Sequence, residues 1–274
     1  MILFRRVCMK KQGFTLAEIL ITLGIVGVVS ALTVPALITS TQNKANAAKL
    51  SSAVLNLENA FTNAIAQEGA DNLYGTNMWS ENKVNATEGN KALFAERIGQ
   101  YLRLSGYENS DNDFYGTNQI CAMSVGGGTN KSACIATGQR FAGDGQMFTL
   151  KTNDGVAIHI RTYKHTDNEI ATQKAAAISE GCTYFTNAAD IIIDVNGKDA
   201  PNTFGRDIFW FKVGENGTLY PNGSKDVARV EPQQGRWDEA SVAACNNASK
   251  GSLEGLRGIG CAGRVVADGY KINY

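Results

Sequence analysis

The hydrophobic pattern opens on one long apolar run. From Phe14 to Ile38 there are 25 residues in which Glu18 is the only ionisable side chain and Pro35 the only proline. As a helix this run spans about 38 Å at 1.5 Å per residue, more than the ~30 Å hydrocarbon core of a bilayer. After Ile38 the pattern becomes one-sided. Leu50, Val54, Leu57, Phe61 and Ile65 recur at helical spacing, Asn56, Asn59, Asn63 and Gln67 fall off that stripe, and neither glycine nor proline intervenes before Gly69. The pattern predicts a single helix from about Phe14 to Glu68, bent near Pro35 and roughly 80 Å long, whose second half lays its stripe on a folded head.

Beyond Gly69 the periodicity shortens. Residues 69–90 are rich in Asn, Gly, Ser and Thr and read as a loop, Lys91–Leu104 as a second helix stopped by Ser105-Gly106, and residues 107–118 as a further loop. Met147–Leu150 and the alternating Val156, Ile158 and Ile160 are separated by Asn153-Asp154-Gly155, a hairpin signal. Two more apolar runs, Ile191–Val195 and Ile208–Phe211, flank a polar loop, Leu219–Pro221 is a short strand, and Arg264–Tyr274 reads as a closing strand. The expected class is α+β, a long N-terminal helix packed on a mostly antiparallel sheet.

Charge orients the first run. Arg5, Arg6, Lys10 and Lys11 precede it and residues 1–13 contain no acid, so the positive-inside rule keeps the short N-terminus in the cytoplasm and sends the rest across. A carboxylate within a membrane span costs about 2.5 kcal/mol or more at the bilayer centre, so Glu18 calls for a cationic partner. Lys10-Lys11-Gln12-Gly13-Phe14-Thr15-Leu16-Ala17-Glu18 resembles the class III leader of type IV pilins and type II secretion pseudopilins, a likeness that extends to about residue 68.

That resemblance implies cleavage between Gly13 and Phe14 by a prepilin peptidase, methylation of the new Phe14 amine, and pairing of Glu18 with the Phe14 amine of a neighbouring subunit, each charge offsetting the other's desolvation. It divides the chain into a leader (1–13), a membrane or filament-core helix (14–38), its amphipathic continuation (39–68) and an exported head (69–274). It implies a single pass through a bacterial inner membrane with the head outside the cytoplasm. The implied partners are sibling subunits in a helical filament and an inner-membrane assembly platform driven by a cytoplasmic ATPase. A second stretch, Asp194-Val195-Asn196-Gly197 through Pro201-Asn202 to Gly205-Arg206-Asp207, looks like a segment found in pilin-like heads.

Composition narrows the function. The 26 basic and 26 acidic residues balance, and removing residues 1–13 leaves 22 basic against 26 acidic, a charge of −4 that offers no nucleic-acid footprint. Of six cysteines, Cys8 lies in the leader. Proximity pairs Cys121 with Cys134 and Cys245 with Cys261 as structural disulfides, leaving Cys182 as a free thiol; none has metal or redox spacing. His159 and His165 are the only histidines and read as exposed strand and loop residues. Gly126-Gly127-Gly128 lacks the Lys-Ser/Thr of a phosphate loop.

Asp194, Asn196, Asp199 and Asp207 put four hard oxygen side chains around one loop. Two accounts of them stand open: calcium ligands, or Asx turns beside glycine and proline that need no ion. No cofactor is otherwise expected. The function read from this is a structural filament subunit, of either the pilus or the secretion branch; the alternatives are a filament-tip adhesin or substrate-binding minor pilin, and a membrane-anchored enzyme. The last is disfavoured because no nucleophile and base are paired in sequence.

Overall fold

A computed structural model describes residues 14–80, 88–109, 114–115, 120–123, 129–135, 147–162, 171, 175, 187–223, 245 and 258–273. The expectations placed on Gly13, Cys8, Gly126–Gly128, His165 and Cys182 lie outside these residues. The chain divides into two compact units, Met1–Gln42 and Asn43–Tyr274.

Helix α1 runs from Leu16 to Glu68 through Pro35. In the first unit its residues are exposed on every side, Phe14 to 84% and Leu32 to 75%. The hydroxyls of Thr22, Thr33, Thr39 and Thr41 donate back to the carbonyls of Glu18, Val29, Pro35 and Leu37 at 2.9–3.1 Å, so these four hydroxyls are spent inside the helix. Among the described residues α1 is the one helix long and apolar enough to cross a membrane.

In the second unit the same helix turns one face inward. Leu50, Val54, Leu57 and Phe61 are buried as the stripe predicts, together with Ala47, Ala53, Ala60 and Ala64. They share a core with Ile158, Ile160, Ile191, Ile193, Phe209, Phe211 and Val213 from an antiparallel sheet. Its six strands are β1 (Leu104–Glu108), β4 (Phe148–Thr152), β5 (Ala157–Thr162), β6 (Asn187–Asp194), β7 (Ile208–Gly214) and β8 (Leu219–Pro221), and they lie side by side in that order. β2 (Ile120–Met123) and β3 (Thr129–Ile135) form a separate two-stranded sheet. Asn153-Asp154-Gly155 makes the predicted hairpin between β4 and β5, with Gly155 at φ +84°.

The turn between β7 and β8 sits directly on α1. Gly217 is at φ +84°, and a Cβ placed there would fall 2.8 Å from the Cβ of Phe61. Both the backbone conformation and the contact require glycine.

Four expectations are corrected. The stretch after Gly69, read as loop, holds a 3-10 turn, Leu73–Gly75, and the short helix α2, Asn77–Ser80, whose Trp79 is fully buried between Phe61 and Phe94. The next helix, α3, spans Glu88–Ile98 rather than Lys91–Leu104, because Gly99 supplies an earlier stop and the amides of Tyr101 and Leu102 turn back onto the Ile98 carbonyl. The apolar residues taken for its last turn lead into β1, an edge strand with a register shift around Gly106 where the sequence reads as loop. The C-terminal segment is helix α4 (Cys261–Ala267), not a strand: Val265 packs into the core and the Asp268 amide closes the helix on Arg264. Tertiary packing overrides the β-preference of Val265-Val266.

Candidate functional site

The N-terminal element is built around Glu18. Its Oε2 accepts from the Thr15 amide at 2.8 Å and the Thr15 hydroxyl at 2.9 Å, while the Thr15 hydroxyl oxygen accepts from the Glu18 amide at 3.3 Å. This reciprocal pair is a capping box, which satisfies amides that the first turn leaves without intrahelical partners. Phe14, immediately before it, is exposed.

The loop between β6 and β7 carries the second set of predicted residues. Asp207 is buried and faces inward, its two oxygens accepting from the amides of Asn202 at 2.9 Å and Thr203 at 2.6 Å. The Asn196 side chain donates to the carbonyls of Asp199 and Ala200, and the Asn202 amide lies 3.1 Å from the carbonyl oxygens of both Gly197 and Asp199, where its nitrogen donates to both. Asp199 is exposed at the rim. Asn196 and Asp207, two of the four side chains that sequence offers as cation ligands, thus close the loop on itself, and among the described residues no group of three or more His, Cys, Asp or Glu is placed to hold a metal ion.

Asp194, at the end of β6, belongs to a different arrangement. Its Oδ1 accepts from the Asn196 amide at 3.2 Å and its Oδ2 from the Tyr115 hydroxyl at 2.5 Å. The same hydroxyl meets His159 Nε2 at 3.1 Å, and His159 Nδ1 meets the Thr149 hydroxyl at 2.8 Å. Donation in one direction satisfies every member: Thr149 to Nδ1, Nε2–H to the Tyr115 oxygen, Tyr115 to Asp194. All four side chains are buried, His159 completely, against the ring of Phe114. Burial pushes the Asp194 carboxyl well above the usual range and the nearby Asp207 charge pushes it further, against the pull of its hydrogen bonds. Asp207 is raised to about 6, again by burial, with the Thr203 and Asn202 amides pulling it back.

A family model described as the prokaryotic N-terminal methylation motif matches residues 8–34. The N-terminus is that of a type IV pilin or pseudopilin. The match takes in the second part of the leader and most of the fully exposed half of α1, and the head lies outside it. No curated protein and no solved structure matches the chain.

The pilin-type leader fixes what Glu18 and Phe14 stand next to. Both lie within the matched residues, Glu18 about one helical turn beyond Phe14. In the head, Cys245 and Cys261 are joined at 2.06 Å, anchoring the start of α4. Cys121 is disulfide-bonded and stands in register opposite Cys134 in the β2–β3 pair. Its amide and carbonyl bond to Asn202 and Phe204, tying β2 to the loop.

His159 corrects a prediction: it is an internal hydrogen-bond bridge, not an exposed strand residue. The partners that make it so, Tyr115 and Thr149, escaped sequence reading. The signal available was Phe114-Tyr115, two adjacent aromatics inside a stretch that otherwise reads as polar loop.

Proposed function

We propose that the chain is a structural subunit of a type IV pilus-like or type II secretion filament, processed by a prepilin peptidase and assembled through the first half of α1. One observation carries the reading: behind a prepilin leader, the helix as far as Gln42 buries none of its large apolar side chains within the chain, whereas from Ala47 onward it supplies a core. A surface of that kind is at rest only in lipid or against other apolar helices. The membrane stores the monomer with its head outside the cytoplasm, and the filament replaces lipid by sibling helices. Repeated heterologous contacts that do not close into a ring extend as a helix.

Glu18 acts at that exchange. In the single chain it caps its own helix, and in the filament the Phe14 ammonium of a neighbour takes the carboxylate as counter-ion. The loop from Asp194 to Asp207 is architectural in this reading and holds β6 and β7 in register without an ion.

Intact-mass analysis of protein extracted from membranes is expected to give a chain beginning at Phe14 with one added methyl group. Glu18→Val is expected to be cleaved normally and to enter sheared filament fractions at least tenfold less than wild type. A retained leader in cells with active prepilin peptidase removes the processing claim, and undiminished incorporation of Glu18→Val removes the role of Glu18.

A further inference from the structure

On the helix side of the head a groove of about 580 Å³ opens between α1, the turn leading into β1, and the β4–β5 hairpin. Its apolar floor is made by Ala53, Leu102, Val156 and Ile158, all buried. Its walls carry Asn56, Tyr101, Arg103, Asn153 and Asp154.

The frame is fixed by backbone bonds. The Asn153 amide donates to the Arg103 carbonyl at 3.0 Å, joining hairpin to turn, and the Thr152 hydroxyl bonds both Asp154 and the Val156 carbonyl within the hairpin. The Tyr101 hydroxyl is held by Gln67 of α1 at 3.3 Å. The wall groups are less committed. Among the described residues no carboxylate lies within ion-pair distance of the Arg103 guanidinium and no hydrogen bond engages the Asn153 side chain, while the Asn56 amide makes only a long bond of 3.4 Å to Ser52. A preformed concavity of this size, with an apolar floor and exposed polar walls of which the fold engages only part, has the make-up of a small-ligand site.

The composition of the walls selects the ligand. One cation and one anion cancel, so the groove has no net charge with which to recruit an ionic ligand. Two planar amides, a carboxylate and a guanidinium offer paired donors and acceptors, which match vicinal hydroxyls. An aromatic side chain and an aliphatic floor match the C–H face of a sugar ring.

We propose that this groove binds a neutral saccharide unit, the end or a branch of a glycan, with Arg103, Asn153, Asp154 and Asn56 holding its hydroxyls and Tyr101 and Leu102 its apolar face. The proposal stands apart from filament assembly, since a subunit that assembles normally can have or lack such a site.

The test uses the full processed chain in a detergent without a sugar headgroup. Saturation-transfer NMR and calorimetry are run with glucose, galactose, N-acetylglucosamine and their β-linked dimers. At least one is expected to bind with Kd on the order of a millimolar, about 4 kcal/mol, typical of a single shallow site. Arg103→Ala and Asn153→Ala are each expected to weaken it three- to tenfold and the double variant to abolish detectable binding. Glu96→Ala, on the exposed face of α3, leaves it unchanged. Melting curves that match wild type show that the variants fold. Absence of binding by every sugar at 50-fold that concentration, roughly 50 mM, overturns the proposal. So does binding that survives in Arg103→Ala/Asn153→Ala, or capture of the zwitterion glycylglycine in place of the sugars.

Discussion

The two faces of the central strands of the sheet, β5 to β7, are both largely buried, by different means. One face meets α1 with side chains that are almost wholly apolar: Ile158 and Ile160 of β5, Ile191 and Ile193 of β6, Phe209 and Phe211 of β7. The other mixes Ile192, Ile208 and Trp210 with Thr149, His159, Asp190, Asp194 and Lys212, all buried, beneath a layer that includes Phe114, Tyr115 and Phe204. Water exclusion suffices to assemble the first face and tolerates small shifts. The second must satisfy hydrogen bonds atom by atom, since each buried polar group left without a partner costs about 1–3 kcal/mol. Apolar burial contributes on both faces, and the polar groups of the second restrict how the outer layer can sit.

The contrast can be broken most severely on the apolar side. Phe61→Ala removes a fully buried ring that meets Trp79 edge-on at 5.7 Å, and is expected to destabilise the head by about 3–5 kcal/mol in denaturant unfolding. The matching change in the exposed half of the helix, Leu32→Ala, is expected to leave head unfolding within about 0.5 kcal/mol of wild type.

The polar side is read best by pH. Asp207 binds its proton more tightly folded, at about 6, than unfolded, at 3.8, so between those values the folded head holds more protons and loses stability as pH rises. The cost of ionising Asp207 in its buried site is absent below pH 3.8 and complete above about pH 6, amounting to roughly 3 kcal/mol. Asp194, raised by burial and by the Asp207 charge, adds a decline of the same sign. Melting from pH 4 to 8 is expected to show the fall, and Asp207→Asn to flatten its lower part. A stability that climbs steadily through this window contradicts the assignment of both acids.

Tyr115→Phe cuts the bridge between His159 and Asp194 while keeping the ring, and is expected to cost about 1–3 kcal/mol. Because the Tyr115 hydroxyl pulls the Asp194 carboxyl down, its loss should raise that carboxyl further and steepen the fall of the unfolding midpoint with rising pH, which a purely steric loss would not do. The smallest effect belongs to calcium: with the oxygens around Asp207 already bonded to amides, millimolar calcium or chelator is expected to shift the melting midpoint of the full chain by less than a degree. An upward shift that Asp194→Ala abolishes would return these residues to metal binding.

The same contrast explains how much could be read from sequence. The α1 stripe, the hairpin at Asp154-Gly155 and the runs of β6 and β7 are local patterns with one physical meaning, and the structure follows them. Val156, Ile158 and Ile160 alternate with Ala157, His159 and Arg161, and alternation ordinarily means one wet face. Here a second layer covers the polar positions, and nothing within β5 records a contact made 44 residues away by Tyr115. The candidate cation ligands divided for a similar reason. Asp207 and Asn196 spend their oxygens and nitrogens on the loop's own backbone, whereas Asp194 turns toward an aromatic from another segment. The leader was legible because a peptidase reads it as linear sequence. The groove beside Arg103 was not, because three separate parts of the chain meet there.

Gly217 limits what can be transplanted. Anyone wishing to place this head on a different helix, or a different head on this one, has to move positions 61 and 217 as a matched pair, since the clearance between them is smaller than one methyl group. Exchanges that join the parts between Phe61 and Gly217 without respecting that fit will prise the sheet off its helix, however well each half folds by itself.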